Sequence, residues 1–324
     1  MVSAVRVHQL GGPEVLKYEE IDLPEPGPGQ VRYRTTAVGV NFIDTYFRTG
    51  LYPAPSIPFT VGNESAGVIT AVGKGVKGLK KGDRVAAVFL LGAYATERLL
   101  PADRVVKIPA KIDDKTAAAM MLKGMTAQYL LRRCFKVKKG DTILVHAAAG
   151  GVGLLLCQWG KHLGATVIGT VGSKEKAALA RKNGAHHTIL YREEDWVKRV
   201  SEITKGKKCD VVYDGVGKTT FMGSLDCLRP LGLMVSYGSA SGAVEPFNLS
   251  ILTQKGSLFV TRPTMNTYTA SAKDLQATAK DLFNVVLKKK VKIDINQTYA
   301  LKDAVRAHQD LESRKTTGQT VLLP

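Results

Sequence analysis

Along residues 1 to about 110, short apolar runs alternate with polar positions and break every ten or so residues at turn signals. These are Gly11-Gly12-Pro13, Pro24-Glu25-Pro26-Gly27-Pro28-Gly29, Gly73-Lys74-Gly75 and Lys81-Gly82-Asp83. Many short strands punctuated in this way predict a closed or partly closed β-fold. Beyond about residue 115 the period changes. Residues 116–134 read as a helix, and strands and helices then alternate through Arg262. Residues 142–147 form an apolar strand, after which Val152, Leu155, Leu156, Trp159 and Leu163 recur at helical spacing until Gly164 stops them. A second strand at 165–171 leads into a helix near 174–183, and apolar runs at 210–213, 233–237 and 257–260 complete the series. This alternation predicts an α/β chain with a parallel sheet covered on both faces. Residues 271–289 return to a helix, and a β-like tail closes the chain back onto the first domain.

One stretch does not fit the logic of packing alone. His146 to Gly153 reads HAAAGGVG, directly after the apolar Ile143-Leu144-Val145. Small residues cost chain entropy, so they point to a need for room. The room lies where a buried strand turns into a helix, whose first N–H groups and partial positive charge hold a phosphate. The usual dinucleotide fingerprint is Gly-x-Gly-x-x-Gly; here Ala147, Gly150 and Gly153 form a variant with alanine in the tight turn. An NAD site carries an acid about 20 residues further on, yet that position is Ser173, followed by Lys174 and Lys176. Cations in the first turn of a helix call for an anion nearby, so the pattern predicts a 2′-phosphate and hence NADPH. Gly215-Val216-Gly217-Lys218-Thr219 imitates the end of a P-loop, but Val212 stands where that motif needs glycine, so the stretch reads as an edge of the same cofactor cleft.

Composition narrows the class. At 324 residues, with 44% hydrophobic and 23% charged residues, the chain has the make-up of a folded globular protein of two domains. No apolar run is long enough to cross a bilayer and the N-terminus lacks the order of a signal peptide, so a cytoplasmic location is expected. The four cysteines, Cys134, Cys157, Cys209 and Cys227, lack any ligand spacing, and no His-Glu-x-x-His occurs; no metal is expected. The net charge of +18 allows a solvated basic face, steering of a polyphosphate cofactor, or nucleic-acid binding.

Six motifs together resemble the zeta-crystallin-type quinone oxidoreductases of the medium-chain dehydrogenase/reductase superfamily. They are Gly39-Val-Asn-Phe-Ile-Asp-Thr-Tyr46, Gly50-Leu-Tyr-Pro53, Val61-Gly-Asn-Glu-Ser-Ala-Gly67, the 146–153 stretch, Tyr191-Arg-Glu-Glu-Asp195 and Leu311-Glu-Ser-Arg314. The resemblance implies a GroES-like β-rich catalytic domain at 1–125 and 263–324 and a Rossmann domain, a doubly wound parallel sheet, at 126–262. It places the nicotinamide in a cleft between them, and implies an NADPH:quinone oxidoreductase. Where zinc-dependent members carry a cysteine and a histidine, this chain has Asn41 and Asn63, and the structural zinc loop is absent. Hydride transfer without a Lewis acid fits an acceptor that is already activated, such as a quinone. Carried over by motif, the cofactor contacts are Asn41, Thr126, Gly150, Gly151, Val152, Gly172, Lys176, Tyr191, Tyr237, Gly238, Ser239, Phe259 and Arg314. Lys176, Tyr191 and Arg314 are expected at the 2′-phosphate, and Asn41, Tyr46 and Tyr52 at the catalytic acceptor pocket, the tyrosines either donating a proton or simply packing. Competing readings are an enoyl or enone reductase on the same fold, an RNA-binding zeta-crystallin-like protein, and a structural protein that keeps the cofactor fold. The apolar run 257–261 reads as an outermost strand, and with the resemblance it implies a homodimer.

Overall fold

The spine of the first unit is the strand Gln30–Gly39, in which Val31, Tyr33, Thr35 and Ala37 alternate inward and are almost fully buried. Its two edges pair antiparallel with Glu64–Val72 on one side and with Gln319–Leu323 and Glu97–Pro101 on the other. The computed structural model describes residues 2–324. It divides into two units: one made of residues up to Met125 with Thr269–Leu287 and Ile293–Pro324, the other of Thr126–Tyr268 and Lys288–Lys292.

In the first unit a seven-stranded sheet runs Ile295–Ala300, Gln319–Leu323, Gln30–Gly39, Glu64–Val72, Arg84–Val88, Val105–Lys107, with Glu97–Pro101 attached to Gln30–Gly39. A smaller sheet joins Leu16–Ile21, Val2–Val7 and Phe59–Thr60. Two features depart from the pattern. The helix Phe42–Thr49 interrupts the β-rich region, and a helix, Ala304–Glu312, stands between the two tail strands. Both are short and half-exposed, so neither leaves a long apolar period in the sequence. The first of them starts at Asn41 and is stopped by Gly50 at φ 81°, a left-handed cap that glycine takes without strain.

The second unit is a six-stranded parallel sheet, ordered His187–Leu190, Thr166–Val171, Thr142–Val145, Cys209–Asp214, Leu228–Ser236, Phe259–Thr261. In chain order this is 3-2-1-4-5-6, the doubly wound arrangement of dinucleotide-binding domains. The order reverses between Thr142–Val145 and Cys209–Asp214, and there the ends of the strands open a crevice. Leu144, Ile168, Val212 and Met234 fill the core on one face against Val200, Phe221 and Leu225. Three elements differ from the pattern. The strand expected to reach 147 ends at Val145 and the chain turns, with Ala147 at φ 51°. The helix expected at 116–134 is α-helical over Asp114–Tyr129 and widens to a π-helical turn at Leu130–Cys134. The strand His187–Leu190 buries only Ile189 fully and so carried no apolar signature.

Candidate active site

In the second unit the glycine stretch lies at the end of the first parallel strand, beside the point where the sheet order reverses. His146 is buried, its ring nitrogens 2.8 Å from Thr170 Oγ1 and 3.0 Å from Ser224 Oγ. Burial pushes its pKa down, against the pull of Asp214, and keeps the ring neutral. The turn that follows puts Ala147 in the left-handed region, where Gly150 N–H closes onto its carbonyl at 2.8 Å. A Cβ on Gly153 would collide with that same carbonyl oxygen, so the motif's last glycine is required by close backbone approach. The helix Gly151–His162 begins at Gly150, which offers no side chain to the first turn; the helix dipole puts partial positive charge at this end, as a pyrophosphate requires.

Two further loops leave the same end of the sheet. Gly172 follows the second strand, and a Cβ there would sit 2.9 Å from Tyr191 Oη and 3.5 Å from Arg192 Nε, so the phenol and guanidinium crowd over this glycine. Ser173 caps the helix Lys174–Lys182 by accepting from Lys176 N–H at 3.3 Å, which places Lys176 in its first turn. Where an NAD site would present a carboxylate stands Ser173, whose hydroxyl accepts from Lys176 N–H and is hydrogen-bonded to the Glu175 carboxylate, while Tyr191 and Arg192 lie over the neighbouring Gly172. Arg192 is an addition of the structure; its place beside Tyr191 was the only hint in sequence.

The third loop is Gly215–Lys218. Asp214 Oδ1 accepts from Val216 and Gly217 N–H at 2.7 and 3.1 Å, and its Oδ2 from Thr220 Oγ1 at 2.7 Å. An internal carboxylate thus occupies the amides that a P-loop would offer to phosphate. Tyr237 and Gly238 pack on Gly215, and Arg262 holds the loop by donating to Ser236 O, Gly238 O and Ser239 Oγ at 3.0, 2.8 and 3.0 Å. Gly150, Gly151 and Val152, then Gly172, Lys176 and Tyr191, then Tyr237, Gly238 and Ser239 are thus gathered at one end of one sheet. Thr126 is buried in the helix Asp114–Tyr129. Phe259 stands apart: it is 59% exposed on the edge strand and pairs with Leu233, four positions and about 13 Å before Tyr237.

In the first unit Asn41 caps the helix that carries Tyr46, and Tyr46 and Tyr52 pack edge to face with ring centroids 5.2 Å apart. Arg314 follows the helix Ala304–Glu312 in a left-handed turn, φ 59°. Asn41 is buried; its Nδ2 donates to Glu64 Oε1 at 2.8 Å, while its Oδ1 has no protein partner. Glu64 is fully buried. Lys123 Nζ donates to Oε1 at 3.1 Å and Leu122 N–H to Oε2 at 2.6 Å, and a side chain at Gly39 would strike the carboxylate. Nothing in the sequence marked Lys123, since residues 116–134 read only as a helix.

Behind Asn41 runs a buried relay of hydrogen bonds. Arg48 Nη1 lies 2.9 Å from His308 Nδ1 and, since arginine only donates, that nitrogen accepts. His308 Nε2–H therefore donates to Tyr94 Oη at 3.1 Å, and Tyr94 donates to Asp44 Oδ2 at 3.1 Å. Asp44 also accepts from Asn41 N–H at 2.9 Å and Asn63 Nδ2 at 2.8 Å. Burial raises the Asp44 pKa to about 7 despite those donors, with Glu64 adding to the rise. Burial, then the Arg48 charge, lowers that of His308 to about 3.

These units match two family models, an alcohol dehydrogenase GroES-like domain over residues 27–110 and a zinc-binding dehydrogenase over 151–283. The chain is 54% identical to a quinone oxidoreductase of Pseudomonas aeruginosa, with all of both chains covered. It is 48% identical to a 2-haloacrylate reductase of Burkholderia sp, covering all of this chain and 99% of that one. The structure of Escherichia coli quinone oxidoreductase complexed with NADPH superposes with a TM-score of 0.98 at 49% identity, over 99% of this chain and 100% of that one. The chain belongs to the quinone oxidoreductase family of GroES-like, Rossmann-type medium-chain dehydrogenases/reductases.

The zinc named by one family model does not suit these residues. Every proton donor around Glu64 (the Asn41 amide, the Lys123 ammonium and the Leu122 N–H) points at the oxygens a cation would need, and the amide of Asn63 is spent on Asp44. Among the described residues no group of three or more His, Cys, Asp or Glu is arranged to hold a metal. The glycine turn, by contrast, fits a dinucleotide.

Proposed function

We propose that the chain is an NADPH-dependent quinone reductase. The observation that carries the reading is the Ala147–Gly153 turn at the reversal of a 3-2-1-4-5-6 sheet, shaped by close backbone approach. The full-length likeness to an NADPH-complexed quinone oxidoreductase supports it. NADPH, when bound, supplies a hydride from its nicotinamide to a conjugated carbonyl acceptor. Gly150, Gly151 and Val152 hold the pyrophosphate by main-chain amides, Gly172 lets the adenosine ribose approach, and Lys176, Tyr191 and Arg192 neutralise the 2′-phosphate. Tyr237, Gly238, Ser239, Thr126 and Arg314 complete the coenzyme's contacts in this reading, whereas Phe259 lies exposed on the edge strand. Asn41 offers its unpartnered Oδ1 to a ligand donor. Tyr46 and Tyr52 line the acceptor pocket, where a phenol protonates or orients the acceptor oxygen.

NADPH oxidation with 1,2-naphthoquinone, run beside an α,β-unsaturated ketone, tests the reading: faster turnover of the quinone is expected, and turnover of neither overturns it. Preference for the ketone would favour the enone reductase, which the 48% identical 2-haloacrylate reductase supports. Tyr52→Phe is expected to slow quinone turnover; unchanged turnover removes Tyr52 from proton donation.

Among the described residues no helix is long and apolar enough to cross a membrane, and we place the protein in the cytoplasm. A homodimer is proposed on the exposed Phe259 and the otherwise unpaired edge of Phe259–Thr261. RNA as a ligand of the coenzyme site would require competition with NADPH and steep salt dependence.

A further inference from the structure

The positive charge of the chain is unevenly placed. The second unit holds 24 Lys and Arg against 10 Asp and Glu, the first 22 against 18. Topology concentrates it further. Because the sheet is parallel, with Thr142 in register with Thr166 and Ile143 with Val211, the strands all begin at one edge, opposite the glycine turn. The segment leading into the strand Thr142–Val145 carries Lys136, Lys138 and Lys139, that leading into Thr166–Val171 carries Lys161, and those before His187 and Cys209 carry lysines too. Gly140 N–H bonds to Gly164 O at 3.1 Å, which ties the first two segments together. Gln158, in the last turns of the helix Gly151–His162, bonds to the backbone N and O of Lys292 at 2.7 and 3.1 Å and so fastens Lys288-Lys289-Lys290 to the same edge. Lys136, Lys138, Lys139, Lys161 and Lys288 to Lys290 are exposed and have no ion-pair partner among the described residues.

We propose that this edge docks the protein on anionic lipid headgroups. Asp141 and Asp210 lie at the same edge, but they accept from Lys138 N–H, Thr142 N–H and Arg229; the lysines outnumber them and repel one another, and a polyanion relieves that repulsion. The cations named without an ion-pair partner are lysines, compact point charges that lack the bidentate fork of arginine, whereas Arg229 at this edge is paired with Asp210. The segments 136–141, 161–165 and 288–292 contain no Phe, Tyr or Trp on which a base could stack. Loops leading into neighbouring strands of one sheet set these lysines side by side along one edge, which suits a surface. The lipid choice rests on the proposed quinone reductase activity, since apolar quinones dissolve in bilayers.

Flotation of the full chain with vesicles of phosphatidylglycerol and phosphatidylcholine tests the proposal. Binding is expected to rise with the phosphatidylglycerol fraction and to fall at least tenfold from low to high salt. It should also fall at least tenfold in Lys136→Gln/Lys138→Gln/Lys139→Gln and in Lys288→Gln/Lys289→Gln/Lys290→Gln, but hold in Lys17→Gln/Lys74→Gln/Lys77→Gln of the first unit. Equal binding to neutral vesicles, or an equal loss in the control triple, overturns the proposal. So does an oligonucleotide that displaces the vesicles and binds more tightly through the same lysines. Turnover of a water-soluble quinone, expected to be equal in all variants, is measured separately: its absence in the unsubstituted protein sinks the enzymatic reading, while the vesicle result still decides the docking edge.

Discussion

Asp44 and His308 are joined through one tyrosine, and their pKa shifts run in opposite directions with opposite consequences for stability. Asp44 rises from 3.8 to about 7, so its contribution is complete below its unfolded pKa and is lost as pH climbs through about 7. His308 falls from 6.5 to about 3, so its contribution is complete above its unfolded pKa and is lost as pH drops toward 3. In the intact chain the two slopes offset one another. His308→Gln should expose the Asp44 slope, with the urea midpoint falling from about pH 4 to pH 7, and Asp44→Asn should expose the opposite one. Slopes of the same sign in both variants would contradict the assignment. At the adenosine end, Lys176→Ala or Arg192→Ala removes one charge-assisted bond and should weaken NADPH about tenfold with little change for NADH, measured by fluorescence titration. Equal losses would remove the 2′-phosphate assignment. The place of Lys176 in the first turn of the helix after the second parallel strand was legible because strand and helix are contiguous in sequence. The relay through Asp44, Tyr94, His308 and Arg48 was not, because Arg48 and His308 meet across 260 residues of chain and nothing in either neighbourhood marks the contact.

The strand, turn and helix around the glycine stretch form the element on which the proposed coenzyme binding depends. Gly153→Ala would drive a methyl into the carbonyl of Ala147 and should abolish NADPH binding and lower the melting temperature. Ala147→Gly relieves a left-handed alanine and should stabilise the fold by up to about 1 kcal/mol, with coenzyme affinity kept. Destabilisation by that change would show that the turn is not strained. This element was readable in advance because strand, small residues and amphipathic helix are contiguous. Its tight turn was only half readable: the alanine marked a variant fingerprint, while the early end of the strand at Val145 comes from the left-handed backbone, which composition does not report. The short helices Phe42–Thr49 and Ala304–Glu312 escaped for a different reason, since eight or nine residues packed on one side give no sustained period.

For the whole molecule, the change of pattern near residue 115 foretold a β-rich unit followed by a parallel sheet, and the strand order supplied what periodicity cannot, namely where the sheet reverses and its crevice opens. Assembly belongs to this scale. Light scattering should report a dimer, and a charged residue on the exposed edge strand, Phe259→Lys, should shift it toward monomer; a monomer without substitution would refute the pairing. The measurement that bears most directly on the account is a crystal structure of the protein grown with NADPH. The account predicts the pyrophosphate on the amides of Gly150 to Gly153 and the 2′-phosphate within hydrogen-bond reach of Lys176. Coenzyme bound elsewhere, or a 2′-phosphate turned away from Lys176 into solvent, would contradict it.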